Sequence, residues 1–238
     1  MRKMKGSSNY LKNQVRANLA KAILCLVLFG LVFSALTFRF FLTLSFDVFE
    51  IIGFLFSLAP LVAFFYYERK YRIYGGGLAG EKKVTQLLGS KLSDDYVLIN
   101  GLYLRNGGGD IDHVVLSPSG VFVIETKNWA GNISCNGDYW ERAGRRSFNV
   151  SPSQQVKRNV ARLRRVIESS PALRALNISV EGIVVFSNNR ANLRLSSPTV
   201  SILRLTQLVD YITGYVSSSN LSRQQLDVIG NDILKQRS

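Results

Sequence analysis

Uncharged, almost wholly apolar positions fill two runs of 17 residues, 22–38 and 51–67, and beyond them the pattern breaks into short segments of strand or helix periodicity. Each run lies at the short end of what crosses a bilayer, and flanking aromatics and long side chains such as Arg39 extend the reach. The first contains 11 Leu, Ile, Val and Phe residues, worth roughly −3 to −7 kcal/mol for insertion. Residues 79–92 place Val84, Leu87, Leu88 and Leu92 at helical spacing, which predicts a helix with one buried face. A short strand is expected over 96–100, and two Val- and Ile-rich runs on either side of Ser117, Pro118, Ser119 and Gly120 predict a β-hairpin. Residues 131–148 are turn-rich, with small strands around Ile133 and Tyr139. Pro152 opens a helix to about residue 169 with Val156, Val160, Leu163 and Ile167 as its apolar stripe. The apolar run 180–186 reads as a buried strand, and helices over 205–216 and 223–235 follow.

Charge enters the hairpin at one end. Glu125 and Lys127 are two apart on a strand and therefore share a face. Pro118 cannot take the positive φ of a primed turn, so a four-residue loop is expected, with Leu116 facing Val121 and Asp112 facing Glu125. A three-residue loop with Gly120 as a bulge would shift the count and separate them. In the first register two carboxylates and an ammonium converge. Carboxylates side by side repel unless a cation lies between them, and Mg²⁺ (or Mn²⁺) suits two carboxylates with water and phosphate completing its shell. His113 has the opposite parity and is expected to be structural.

The net charge is +14 over 238 residues, a field that attracts polyanions such as nucleic acid or an acidic lipid surface. The basic residues between 142 and 174 (Arg142, Arg145, Arg146, Lys157, Arg158, Arg162, Arg164, Arg165 and Arg174) face a single acid, Glu168. One-sign crowding argues for an anionic partner, either a nucleic-acid backbone or the anionic leaflet. Two cysteines do not make a disulfide framework, and one histidine excludes multi-histidine zinc sites. Basic residues crowd the outer flanks of both apolar runs. The positive-inside rule then places both termini and the soluble part on the cytoplasmic side of a bacterial-type inner membrane.

With the order helix, strand, acidic strand, E-x-K strand, helix, strand, residues 77–186 resemble the nuclease-related domain family of the PD-(D/E)XK restriction-endonuclease-like superfamily. The matching residues are Gly80 and Glu81, the IDHVV stretch at 111–115, GVFVIETKNW at 120–129, and Pro152 with Gln155. Ser151 stands where family members often have Asn. The resemblance implies an α/β fold with a restriction-endonuclease-like central mixed sheet flanked by helices. It also implies a metal-dependent phosphodiesterase site in which Asp112 and Glu125 are metal ligands, Lys127 orients or activates the attacking water, and Glu81 and Gln155 are auxiliary.

The expected organisation is a basic cytoplasmic leader (1–21), a transmembrane helical hairpin (22–67), a Gly-rich linker (68–78), the nuclease-related domain (79–203) and C-terminal helices (204–238). The expected function is a membrane-tethered, Mg²⁺-dependent nuclease, acting on DNA first, with Arg142, Arg145, Arg146, Lys157, Arg158, Arg162 and Arg165 holding the substrate. A binding module on the same fold that docks nucleic acid or protein without cutting is the alternative.

Overall fold

Val and Ile dominate both strands of the predicted hairpin, and in the computed structural model these residues are buried in the middle of a six-stranded sheet. The structure describes residues 1–6, 9–44, 47–105, 107–142 and 151–236. It divides into two compact units, residues 1–9 with 79–238 and residues 10–78.

The sheet of the first unit comprises β1 (Arg2–Lys5), β2 (Val97–Tyr103), β3 (Asp110–Ser117), β4 (Gly120–Lys127), β7 (Val180–Phe186) and β9 (Ser201–Arg204), in the order β1-β2-β3-β4-β7-β9. The β1–β2, β4–β7 and β7–β9 pairs are parallel and the two pairs around β3 antiparallel, so the sheet is mixed. A second sheet, β6-β5-β8, joins β5 (Gly131–Asn136), β6 (Tyr139–Arg142) and β8 (Ala191–Ser196).

Helices cover both faces of the large sheet, which removes its Val- and Ile-rich strands from water. On one face α3 (Pro152–Ser169) and α6 (Arg223–Lys235) pack through Val156, Leu163, Leu226 and Ile229 onto Val114, Leu116, Val121 and Val123. On the other, Val84 and Leu88 of α2 (Val48–Lys91) and Leu208 and Ile212 of α5 (Leu208–Thr213) pack onto Leu98, Val115, Phe122 and Ile124, and a short α4 (Pro171–Arg174) follows α3. A mixed sheet flanked by helices is the expected architecture.

The hairpin register is the one read from the sequence, with Leu116 opposite Val121, but pairing runs one step further to Ser117 and Gly120. Ser117 closes this tighter turn, its hydroxyl donating to the Gly120 carbonyl (3.0 Å) and accepting from the Ser119 N–H (3.1 Å). Gly120 has φ +134°, and a Cβ there would lie 2.7 Å from the Ser179 carbonyl oxygen, so the position requires glycine.

Two expectations are corrected. The basic leader is not only a leader: its first residues form β1, paired in parallel with β2 from Arg2 opposite Val97 to Lys5 opposite Asn100. Arg2 bonds the Asp94 carbonyl and the Asp227 carboxylate, and Met4 packs against the core. Nor are residues 68–78 a flexible linker, because α2 is one helix from Val48 to Lys91 that runs through Gly75, Gly76 and Gly77. Three glycines cost about 1 kcal/mol each against alanine. Helix on both sides, fixed by Tyr74 against Tyr10 and by Val84 and Leu88 in the core, carries the backbone through them.

In the second unit α1 (Tyr10–Thr43) and the first part of α2 run antiparallel. Tyr10 meets Tyr74 (6.3 Å between centroids), the Lys21 ammonium lies over Tyr67 (5.4 Å), Phe33 meets Phe54 (5.7 Å) and Leu36 abuts Gly53. Both helices are long and apolar enough to cross a bilayer, with 18-residue windows of mean hydropathy 2.5 and 1.7. Their outer faces expose Leu31, Phe41, Phe56 and Val62, which is the pattern of lipid-facing surface.

Candidate active site

β4 is apolar and buried from Gly120 to Ile124 and becomes charged only at its C-terminal end, where its pleat puts Glu125 and Lys127 on the face covered by α3. Glu125 is 2% exposed. The Lys127 ammonium donates to Glu125 Oε1 (2.6 Å) and to Gln155 Oε1 on α3 (3.1 Å), and sits 5.6 Å from the centre of the Trp129 ring. Three neighbours of different chemistry thus fix one amine.

The supports of that amine are themselves anchored. Trp129 meets Phe186 edge-on (6.0 Å), and Phe186 stacks on Trp140 (5.8 Å), whose indole N–H donates to Ser153 Oγ (2.9 Å) in the first turn of α3. Ser151 caps that helix, accepting from the Gln154 N–H, and Pro152 occupies its first turn. Serine and asparagine both serve as N-caps. The departure at Ser151 therefore leaves Gln155 placed against Lys127.

Asp112 lies one step beyond the last β3–β4 pair, His113 with Ile124, where continuing the register meets Glu125. Its Oδ2 accepts the Thr126 N–H (2.7 Å). Burial holds its carboxyl well above the usual range, the charges of Glu125 and Glu81 push the same way, and Lys127 and the Thr126 N–H oppose them. Burial also raises Glu125, against the pull of Lys127 and Arg158. Glu81 is carried to within range by Gly80, where a Cβ would meet Ser187 Oγ at 2.7 Å and Asn128 Cβ at 2.9 Å. So α2 packs backbone-close onto the end of β4.

Glu125 gives Oε1 to Lys127, while its Oε2 is buried with no hydrogen-bond partner among the described residues. Asp112 commits one oxygen to Thr126. Among the described residues no group of three or more His, Cys, Asp and Glu is arranged to hold a metal. Asp112 and Glu125 could hold an ion such as Mg²⁺, which draws most of its shell from water and phosphate.

The basic segment divides into parts with different surroundings. Arg158 is exposed and its charge reaches Glu125. Lys157 pairs with Asp138 (2.8 Å), Arg164 donates to the Val180 carbonyl (2.8 Å), and both line a groove of about 490 Å³ with Arg165 and Glu181. Arg142 donates to the Ala130 carbonyl (2.9 Å). Arg145 and Arg146 lie outside the described residues. Arg162 is corrected outright: it is 7% exposed, and its Nη1 donates to the Gly109 carbonyl (2.8 Å) and to Asn159 Oδ1 (3.1 Å). It follows Val156 and Asn159 by helical steps and so turns inward. The role of Trp129 beside Lys127 was missed, although its spacing two residues beyond Lys127 on an extended segment is a usable signal.

His113 faces the opposite side of the sheet from Asp112, buried, with Nδ1 2.7 Å from Asn100 Oδ1. Burial pushes its pKa down to about 3.

A family model described as nuclease-related domain matches residues 76–187. An uncharacterized protein of Bacillus anthracis is 40% identical over 58 residues, covering 23% of this chain and 27% of that protein, so the match spans about a quarter of the relative's length. No solved structure matches. Residues 76–187 of this chain therefore form a nuclease-related domain, which supports a nuclease-like function in general, and the chain also carries two helices long and apolar enough to cross a membrane.

Proposed function

We propose that this protein is a divalent-metal-dependent nuclease of the PD-(D/E)XK type that hydrolyses phosphodiester bonds, DNA foremost, and is tethered by two spans to the cytoplasmic face of a bacterial-type inner membrane. The observation that carries the reading is the division of Glu125. One oxygen is held by Lys127 and the other is buried without a partner beside a second carboxylate, an arrangement that costs free energy unless a cation completes it.

Asp112 and Glu125 would hold Mg²⁺ or Mn²⁺, which when bound lowers the pKa of a coordinated water and neutralises charge developing on the phosphate. Lys127, fixed by Glu125, Gln155 and Trp129, orients the attacking water and stabilises the anionic transition state through its N–H groups. Arg158 offers an exposed guanidinium next to Glu125 for a phosphate oxygen. Glu81 adds negative charge beside Asp112 and strengthens the demand for a cation. Lys157 and Arg165 extend a positive surface along α3 for the substrate backbone.

The full chain, purified in nanodiscs, is to be incubated with plasmid, linear duplex, single-stranded DNA and RNA, with Mg²⁺, with Mn²⁺ and with chelator. Metal-dependent cleavage is expected, reduced about 10²–10⁴-fold in Lys127→Ala and absent in Asp112→Asn. Cleavage unchanged in both variants, or nucleic-acid binding with neither cleavage nor uptake of Mg²⁺, would refute the enzyme; the second result would establish a binding module.

A further inference from the structure

Gly107, Gly108 and Gly109 all take positive φ (75°, 90° and 86°), a backbone path open to three successive glycines and strained for other residues. A path so free in the unfolded chain is held only if something fixes it. Its start is tied by the Gly107 N–H donating to the Leu104 carbonyl (3.2 Å), and its end is touched by Arg162. Besides donating to the Gly109 carbonyl (2.8 Å), its guanidinium lies 3.1–3.2 Å from where a Cβ on Gly108 would be, flat against the loop. Asn159, 3% exposed, accepts from the same nitrogen (3.1 Å) and aligns it. The loop runs straight into Asp110 and, two residues later, Asp112.

α3 carries Gln155, Arg158, Asn159 and Arg162 at the i, i+3, i+4, i+7 positions of one stripe. Gln155 bonds Lys127, the charge of Arg158 reaches Glu125, and Arg162 holds the segment that precedes Asp112. The same stripe therefore touches the two halves of the candidate site, the end of β4 and the start of β3. A buried guanidinium is costly to desolvate, and an apolar residue would pack between α3 and the sheet at less expense. The two hydrogen bonds of Arg162, to the Gly109 carbonyl and to Asn159, point to a geometric purpose.

We propose that Arg162 is a positioning residue, which docks the 107–109 loop onto α3 and thereby sets Asp112 against Glu125 and Lys127, and that it does not contact nucleic acid. The inference deepens the nuclease reading and rests on it for its catalytic consequence, but the docking itself can be measured without catalysis. Lysine does not substitute, because it lacks the planar fork that bonds the carbonyl and Asn159 while lying along the loop. An ångström of misplacement in such a site costs about 100-fold in rate.

The experiment compares full-length wild type, Arg162→Lys, Arg162→Gln and Arg162→Ala in nanodiscs by amide hydrogen exchange, by binding of a DNA oligonucleotide in chelator, and by cleavage with Mg²⁺. Expected are at least tenfold faster exchange over residues 109–112 in all three variants, unchanged exchange over 114–116, unchanged oligonucleotide affinity, a kcat lower by about 100-fold, and partial recovery of Arg162→Ala by added guanidinium ion. Weakened oligonucleotide binding with exchange and kcat unaltered would make Arg162 a substrate contact and overturn the proposal. Exchange rising throughout β3 and α3 would make it a general stability residue and overturn it equally. Faster exchange confined to 109–112 in a wild-type background that cuts nothing would uphold the docking and reject the nuclease reading.

Discussion

Glu125 and Asp112 illustrate how a site can oppose the stability of the protein that carries it. In the absence of divalent ion, two buried carboxylates and Glu81 repel one another. Asp112→Asn removes one charge yet keeps an oxygen for the Thr126 N–H, so the metal-free protein should melt about 2–4 °C higher, the equivalent of about 1 kcal/mol in a chain of this size. The same variant should show no stabilisation by Mg²⁺ in differential scanning fluorimetry, whereas the wild type gains with concentration. His113 yields a second expectation, with its own sign. Its folded pKa of about 3 lies below the unfolded value near 6.5, so below pH 6.5 the unfolded chain binds a proton that the folded one refuses. Stability is complete above pH 6.5 and falls as pH drops toward 3, by about 2 kcal/mol at pH 5. His113→Gln, which can still donate to Asn100, should lose that slope in urea melts at pH 7 and pH 5; an equal slope in both proteins would put the effect elsewhere.

At the level of elements, packing of α2 onto β4 offers a sharp handle. Alanine at position 80 would ordinarily favour a helix by up to about 1 kcal/mol. Here its Cβ would stand 2.9 Å from Asn128 Cβ and 2.7 Å from Ser187 Oγ, so the helix must lift from the strand. Gly80→Ala should cost about 1–3 kcal/mol in chemical unfolding and should depress cleavage further than a Gly75→Ala control, whose added Cβ meets nothing within 4 Å. The hairpin register was legible beforehand because Pro118 restricts the turn; a slip of one residue would exchange the side chains that pack under α3 and α6 for those that pack under α2 and α5. Glu125 and Lys127 were legible for the same reason of parity. The strand β8 was not: ANLRLS has little apolar patterning, and its pairing with β5 some 60 residues earlier is decided by the partner. Arg162 was misplaced because charge outweighed periodicity in the reading, although its helical phase with Val156, Asn159 and Leu163 already pointed inward.

For the whole molecule, β1 alters how the soluble part must be handled. Residues 1–9 and 79–238 form one unit, so the chain leaves it before α1 and re-enters it within α2. If the two helices span a bilayer, the strand and the rest of its sheet lie on the same side of it, since two crossings return the chain to where it started. A fragment of residues 79–238 lacks β1 and exposes the edge of β2, together with the surface of Gly230 and Leu116 that Met4 covers. It should aggregate and unfold at lower denaturant than a fusion in which residues 1–9 are joined to residue 79 by a flexible linker, as measured by light scattering and urea titration. Equal behaviour would show β1 to be dispensable. The strand also imposes a timetable on biosynthesis: Arg2 emerges about 95 residues before its partner Val97, an interval of roughly 5–20 s at ribosomal speed. Both greasy segments leave the ribosome within that interval, so the sheet gains its outermost member only after they do.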